Sequence, residues 1–509
     1  MSPPSSQLRP AAGWPASLLV AILAGSVFGV LYGLGDRSAH FGDHGYLVRV
    51  VTARGESYHG LITLAIALKA WTGMTAESTL DLLAATSGGL SVGLVVVLAR
   101  WRRLGTADAL LLAAAFGATP VVWFFATAIE VHAPQLALTL IALAIVLATR
   151  DRGVFAWRAA GFLAGALTLI AAHPISVLGL PALAALVVPD RRARRALIAV
   201  ALAASVLGFA VVALMPSGVV TDLIPVSRTE TDRLQRVAIW ISSMFEHGDV
   251  NGHIDLAYVL EHNALDWFWM HGLMLLPLVT ALLPRAPLDP RTRAAALAAI
   301  PPYLLAPPLL RVRELGGYYA LPLALALLLA LDLAVSARRT RPRALHALLA
   351  LALAVQALVA WQVTAGWSRI GPDAVREQAI LTAVEQDPRP TCVFTPSPTC
   401  VSELLGHPLL ALVDLRYASG VMRPGDADDV ARRTVEGMAT ALVTGQRVLW
   451  DDGLDRLRGP YAPPLRRLLN AMRAQMASVG MTLGEVGDGV PAPLREVRWE
   501  RPIVQPARR

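Results

Sequence analysis

The strongest constraint on this chain is the recurrence, through its first 365 residues, of apolar runs long enough to cross a bilayer, separated by short clusters of arginine. A helix needs about 20 apolar residues to span the hydrocarbon. Runs of that kind cover 14–34, 78–99, 107–127, 131–149, 159–172, 174–188, 196–214, 264–283, 294–310, 320–335 and 345–362. The pattern predicts about eleven spans, hence an all-α polytopic membrane protein over 1–365. Composition agrees: 55% of residues are hydrophobic and 16% charged, against about 25% charged in a soluble domain. A disordered chain and a fully soluble enzyme are excluded. The first run lacks a small-residue cleavage site and reads as a retained anchor.

The net charge of +8 and pI near 10 would suggest nucleic acid only if the basic residues shared one soluble face. Instead they alternate with the apolar runs, the pattern left by the rule that holds Lys and Arg inside. With the N-terminus cytoplasmic, the inner loops carry Arg100, Arg102 and Arg103, then Arg150, Arg152 and Arg158, then Arg191, Arg192, Arg194 and Arg195. Arg285, Arg291 and Arg293 follow, and then Arg338, Arg339, Arg341 and Arg343. The outer loops are longer and poorer in positive charge. The run 159–188 is long for one straight span, and its basic flanks favour two short helices meeting at His173-Pro174. The expected location is the cell (inner) membrane, with membrane lipids as partners and no nucleic acid.

After about residue 366 the chain turns polar. Thr391–Phe394, Leu409–Leu415 and Arg447–Trp450 read as short strands, and 372–386, 427–443 and 464–478 as amphipathic helices. The segment 366–509 is therefore expected to be a small soluble α/β domain, and an odd span count places it outside the cytoplasm. A local Cys392–Cys400 disulfide would be allowed there. The chain shows no phosphate-binding GxxxxGK[ST] loop, and no ATP-driven pump is expected on it.

Ionisable residues near a bilayer are costly and default to functional candidates. The first outer loop holds Asp36, Asp43 and His44, then His59. A solvated loop with its carboxylates paired to arginine would look the same. Ala128-Ile129-Glu130-Val131-His132-Ala133-Pro134 stands at the next outer junction. Pro134 suits a first helical turn, which puts Glu130 and His132 where the helix dipole attracts anions. His173 holds the corresponding place between the two short helices, as a ligand or a capping histidine. Arg311 and Arg313, in the turn before Gly316-Gly317, have the fork geometry for a lipid phosphate or for headgroups in general. His247, Asp249 and His253 match no standard metal spacing, so no metal and no cofactor is expected.

Asp43-His44-Gly45-Tyr46, Tyr58-His59-Gly60-Leu61 and Ala128-Ile129-Glu130-Val131-His132-Ala133 together resemble the integral-membrane GT-C glycosyltransferases. The likeness is to the bacterial branch related to protein O-mannosyltransferases and the DUF2723 family, and it covers roughly residues 14–190. Tyr46 stands where that branch has a second acid, and Gly60 where a proline is usual. The resemblance implies transfer of a sugar from a polyprenyl-phosphate-linked donor to an acceptor (protein, glycan or lipid) on the outer face. In that reading Asp43 is the general base on the acceptor hydroxyl, with Asp36 as the alternative catalytic carboxylate. Glu130 and His132 orient substrate, while His44, His59, His173, Arg311 and Arg313 bind substrate and neutralise the departing phosphate. Two other classes compete: a transporter or lipid flippase, and a structural membrane protein with a partner-binding outer domain.

Overall fold

The computed structural model describes residues 14–35, 47–48, 51–52, 60–150, 155–172, 176, 179–188, 195, 198–199, 271–299, 320–367, 372–395, 410–415, 427–456, 462–486 and 490–499. They fall in two compact units, one helical and ending at Ser368, the other built chiefly on Arg369–Arg509.

In the first unit, helices α1 (Trp14–Leu34), α2 (Gly60–Thr72), α3 (Ala76–Trp101), α4 (Thr106–Gly117) and α5 (Pro120–Thr127) precede α6 (His132–Arg150), α7 (Phe155–Ala172) and α8 (Leu180–Val187). After these come α9 (Leu275–Ala281), a helical segment at 290–299, α10 (Ala320–Thr340) and α11 (Pro342–Trp367). Among the described residues, five helices are long and apolar enough to cross a membrane, or six if the bent pair α4–α5 counts as one span. The expectation of about eleven is therefore met only in part. The run 159–188 forms two helices, as the charge pattern favoured, but α8 has only eight residues. The apolar piece after His59, too short to cross, is α2.

Close helix contact here depends on missing side chains. A Cβ on Gly25 would lie 2.8 Å from the carbonyl oxygen of Gly89, and one on Gly89 would lie 2.4 Å from that of Gly25. Lipid supplies no hydrophobic drive between helices, so small residues that let backbones approach hold such pairs together. The opposite side of α1 is exposed at Leu19, Leu23 and Val27, as a lipid-facing surface should be.

The run 107–127 is not one straight helix; α4 and α5 meet at 66°. Pro120 offers no N–H to the preceding turn, and the Thr119 N–H bonds Phe116 O instead. The Gly117 carbonyl, at the end of α4, is taken by the Tyr32 hydroxyl at 2.8 Å. A backbone group freed inside an apolar bundle must be satisfied by such a neighbour.

At the other end of the bundle the arginine clusters converge. Arg150 at the end of α6 meets Asp289 at 2.9 Å, and Arg102 at the end of α3 meets Asp332 of α10 at 3.4 Å. The Asp289 N–H donates to Asp332 at 3.0 Å, joining the two pairs. Asp289 also caps the 290–299 helix by accepting from the Thr292 N–H and hydroxyl. Burial opposes ionisation of Asp289, but the Arg150 guanidinium, the Thr292 donors and Arg102 outweigh it and hold its carboxyl below the usual range. His346 and Arg338 close on Asp108 nearby. Helix α3 stops in a Schellman motif, with Leu104 N–H on Ala99 O, Arg103 N–H on Arg100 O, and Arg103 at φ 65°.

The second unit starts with α12 (Pro372–Gln386) and holds β1 (Thr391–Thr395), β2 (Leu410–Asp414), α13 (Ala427–Val443), β3 (Arg447–Asp451), α14 (Gly453–Arg456), α15 (Ala462–Ser478), β4 (Met481–Leu483) and β5 (Leu494–Trp499). The sheet order is β2-β1-β3-β5-β4, with β1 parallel to β2 and β3, and β5 antiparallel to β3 and β4. The three strands and three helices read from periodicity are present. The last two strands are an addition: β4 has only three residues, and the alternation of β5 is interrupted by charges such as Arg495 and Glu496. Trp450, Leu468 and Met472 are fully buried between sheet and helices. At the carboxyl ends of β1 and β3, the buried Asp451 takes the Thr395 hydroxyl at 2.9 Å, the Gly453 N–H at 2.7 Å and the Arg376 guanidinium. Cys392 is a free thiol that burial pushes up to about 12. Cys400 lies outside the described residues.

Candidate functional site

The described part of the site is the junction between α5 and α6. The Thr127 hydroxyl bonds back to Trp123 O and Phe124 O and closes α5. Ala128 is extended at φ −117° and ψ 149°, and α6 starts at His132, so Pro134 falls in its first turn. All four residues from Ala128 to Val131 are buried. A 19-residue helix rises about 28 Å, which sets this junction about a bilayer's thickness from the Arg150 end.

Glu130 and His132 are each 3% exposed. The Glu130 carboxylate accepts the Val131 N–H at 3.3 Å, which places its charge at the positive end of the α6 dipole. His132 Nδ1 lies 3.1 Å from Gln135 Oε1, and Gln135 Nε2 donates to the Ser176 hydroxyl at 3.5 Å. The Gln135 amide thus stands between the imidazole and the Ser176 hydroxyl. The Phe125 ring meets the imidazole edge-on at 4.5 Å. A cavity of about 20 Å³ adjoins His132, lined also by Gly88, Phe125, Leu136, Ala320 and Leu323. That volume holds about one water; a sugar ring does not fit.

A second polar cluster lies at the α4–α5 bend. Gln356 of α11 donates to the Thr119 hydroxyl at 3.4 Å. Gly272, at φ 50°, passes so close that a Cβ there would sit 2.2 Å from Gln356 Oε1. His271 next to it is 1% exposed.

Of the residues singled out in the sequence, Glu130 and His132 are described and stand together. Asp36, Asp43, His44, His59, His173, Arg311 and Arg313 lie outside the described residues. Sequence reasoning missed Gln135, Ser176, Gln356, Thr119 and His271. For Gln135 a signal existed: it follows His132 by three residues, on the same helix face. The others are isolated polar residues within apolar stretches, and their convergence is visible only in three dimensions. Among the described residues, no group of three His, Cys, Asp or Glu side chains is placed to hold a metal ion.

No protein-family model matches the chain, and no curated protein matches it. Among solved structures it is similar to the cryo-EM structure of the arabinofuranosyltransferase AftD from mycobacteria, at 16% identity and a TM-score of 0.34. That similarity covers 93% of this chain and 37% of the other, so the chain spans little more than a third of the length of the structure it resembles.

Proposed function

We propose that this chain is a membrane glycosyltransferase that moves a sugar from a polyprenyl-phosphate donor to an acceptor at the bilayer face opposite its arginine-rich end. One observation carries the reading: Glu130 and His132 are buried in an apolar bundle, at the end of α6 remote from the ion-paired cluster. Ionisable groups in such surroundings are costly to keep and mark function by default. Asp43 is the general base in this reading, with Asp36 in reserve. Glu130 and His132, the latter beside a cavity of one-water size, orient the groups that touch substrate, and Gln135 holds the imidazole in place. His44, His59, His173, Arg311 and Arg313 receive the phosphate-bearing end of the donor. The N-terminus is cytoplasmic and the α/β unit extracytoplasmic.

The test incubates membranes with radiolabelled polyprenyl-phosphate sugars. Transfer by the wild-type chain, lost in Asp43→Asn at unchanged protein abundance, supports the assignment. Wild-type activity in that variant removes Asp43 from the mechanism, and failure with every donor removes the transferase reading. A transporter or flippase is the second reading, favoured by the 66° break between α4 and α5 with Thr119, Gln356 and His271 buried beside it. Broken helices with polar groups at their break are how transporters build sites.

A further inference from the structure

The arginines at the basic end of the bundle are of two kinds. Arg102 and Arg150 are taken up by Asp332 and Asp289. Arg100 donates to the Ser17 hydroxyl and Leu104 O, and Arg293 to Ala281 O and Pro284 O. Arg338 reaches from the end of α10 to Arg103 O at 2.7 Å and to Asp108 at 4.0 Å, which ties the α10–α11 turn to the α3–α4 turn. On the corner so formed stand Arg103, Arg339, Arg341 and Arg343, all exposed. Among the described residues, no ion pair or hydrogen bond engages their guanidinium groups.

Residues 101–108 and 332–346 hold six arginines against two aspartates, Asp108 and Asp332, which leaves four positive charges. Orientation in a membrane asks for arginine on one side. It does not ask for four unengaged guanidinium groups at one corner. Arg285 is the contrasting case: one exposed arginine just beyond α9, next to the exposed Leu282 and Leu283.

The corner also heads an apolar stripe. Leu345 N–H bonds Arg341 O at 3.0 Å, so α11 runs on directly from Arg341. Leu348, Leu351, Leu358 and Trp361 are 61, 60, 59 and 74% exposed, and their spacing puts them on one face of α11. Arg341 precedes Leu348 by seven residues and belongs to the same face. From Arg341 to Trp361 the helix rises about 30 Å, the thickness of the hydrocarbon layer. The guanidinium groups and the Trp361 ring thus mark its two surfaces, where such side chains settle.

We propose that the corner between the α3–α4 and α10–α11 turns binds an anionic phospholipid with two phosphates in its head, whose acyl chains lie along the leucine face of α11. Guanidinium forks take phosphate oxygens in pairs, and arginines beside a bilayer draw anionic lipid to them. A single phosphodiester neutralises one of the four charges; a two-phosphate head neutralises twice as much. A zwitterionic head brings a cation that the corner repels. A soluble polyanion would leave the leucine face without a role. The site belongs to the Arg150 end of the bundle, remote from Glu130, and does not depend on the transferase reading.

The test counts lipid retained by the full chain in detergent, by native mass spectrometry. Cardiolipin, with two phosphates, is compared with phosphatidylglycerol and phosphatidylethanolamine of matched acyl chains. One cardiolipin per chain is expected, held about fivefold more tightly than phosphatidylglycerol, with phosphatidylethanolamine weaker still. Arg341→Gln and Arg343→Gln should each lower cardiolipin retention about fivefold, the weight of one arginine at an anionic surface. Arg285→Gln removes the same charge outside the corner and should leave retention unchanged. Both corner positions are exposed, and either variant decides the matter if the other inserts poorly. Cardiolipin held no more tightly than phosphatidylglycerol overturns the proposal. So does an equal loss in Arg285→Gln, or full retention in Arg341→Gln and Arg343→Gln.

Discussion

The two ends of α6 handle buried polarity in different ways. At its last residue, Arg150 is paired with Asp289, which is itself hydrogen-bonded to Asp332 and, through it, linked to Arg102. Two cations and two anions from separate helices neutralise one another, and the cluster is accounted for by holding those helix ends together. At its first residues, His132, Gln135 and Ser176 form a hydrogen-bonded chain beside a small cavity, and Glu130 two positions earlier accepts the Val131 N–H. Breaking the first end should cost fold; breaking the second should cost activity. A buried charge is thus a structural or a functional signal according to what it is joined to.

The sharpest way to break this contrast is Glu130→Gln, which keeps shape and removes charge. Sugar transfer should fall about 10²-fold, as for a lost positioning contact, with the thermal midpoint of the detergent-purified chain unchanged; a lowered midpoint with normal transfer per folded molecule would reverse the assignment of the two ends. Arg150→Leu should do the opposite. Leaving Asp289 partly buried without its closest cation costs about 3 kcal/mol, read as a lower midpoint, while transfer per folded molecule stays normal. The sign of its pH dependence is fixed. The Asp289 carboxyl is held below its ordinary range, so its stabilisation is complete above that range and is lost as pH falls through the folded value. Wild type should lose its advantage over Arg150→Leu on acidification, and a gap that persists at low pH would show the pair to be inert.

Smaller changes sharpen the comparison. Gln135→Leu removes the amide between His132 and Ser176, at about 1–2 kcal/mol. Because it removes the imidazole's side-chain partner, it should also shift the pH profile of transfer, and a parallel loss at every pH would make Gln135 a packing residue. Arg103→Gly relieves the positive φ at the end of α3. It should raise the midpoint by no more than the equivalent of about 1 kcal/mol. A loss there would mean the Arg103 side chain does more for the basic end than its backbone costs.

Much of the architecture could be read in advance where one physical signal dominates. Hydrophobic length located α1, α3, α6, α10 and α11, since a helix in lipid must be apolar along its whole length. Strand and helix periodicity located the parallel core of the α/β unit. Strand β4 was missed because it has three residues, and β5 because Arg495, Glu496 and Arg498 interrupt its alternation; its place in the sheet comes from pairing with β3 on one side and β4 on the other. The 66° bend was missed although Gly117 and Pro120 mark it, because an apolar window averages over a break. Glu130 and His132 were legible because ionisable groups between apolar runs have few reasons to be there. Gln356 and Thr119, 237 positions apart, gave no linear cue.

From the sequence alone came the segregation of apolar helices from a polar α/β unit and the alternation of arginine clusters, because solvent preference acts on each residue wherever it ends up. Which charges neutralise each other, which carbonyl Tyr32 rescues, and which arginines are left unengaged belong to the tertiary structure. Those depend on distances between residues far apart in the chain, and only packing sets them.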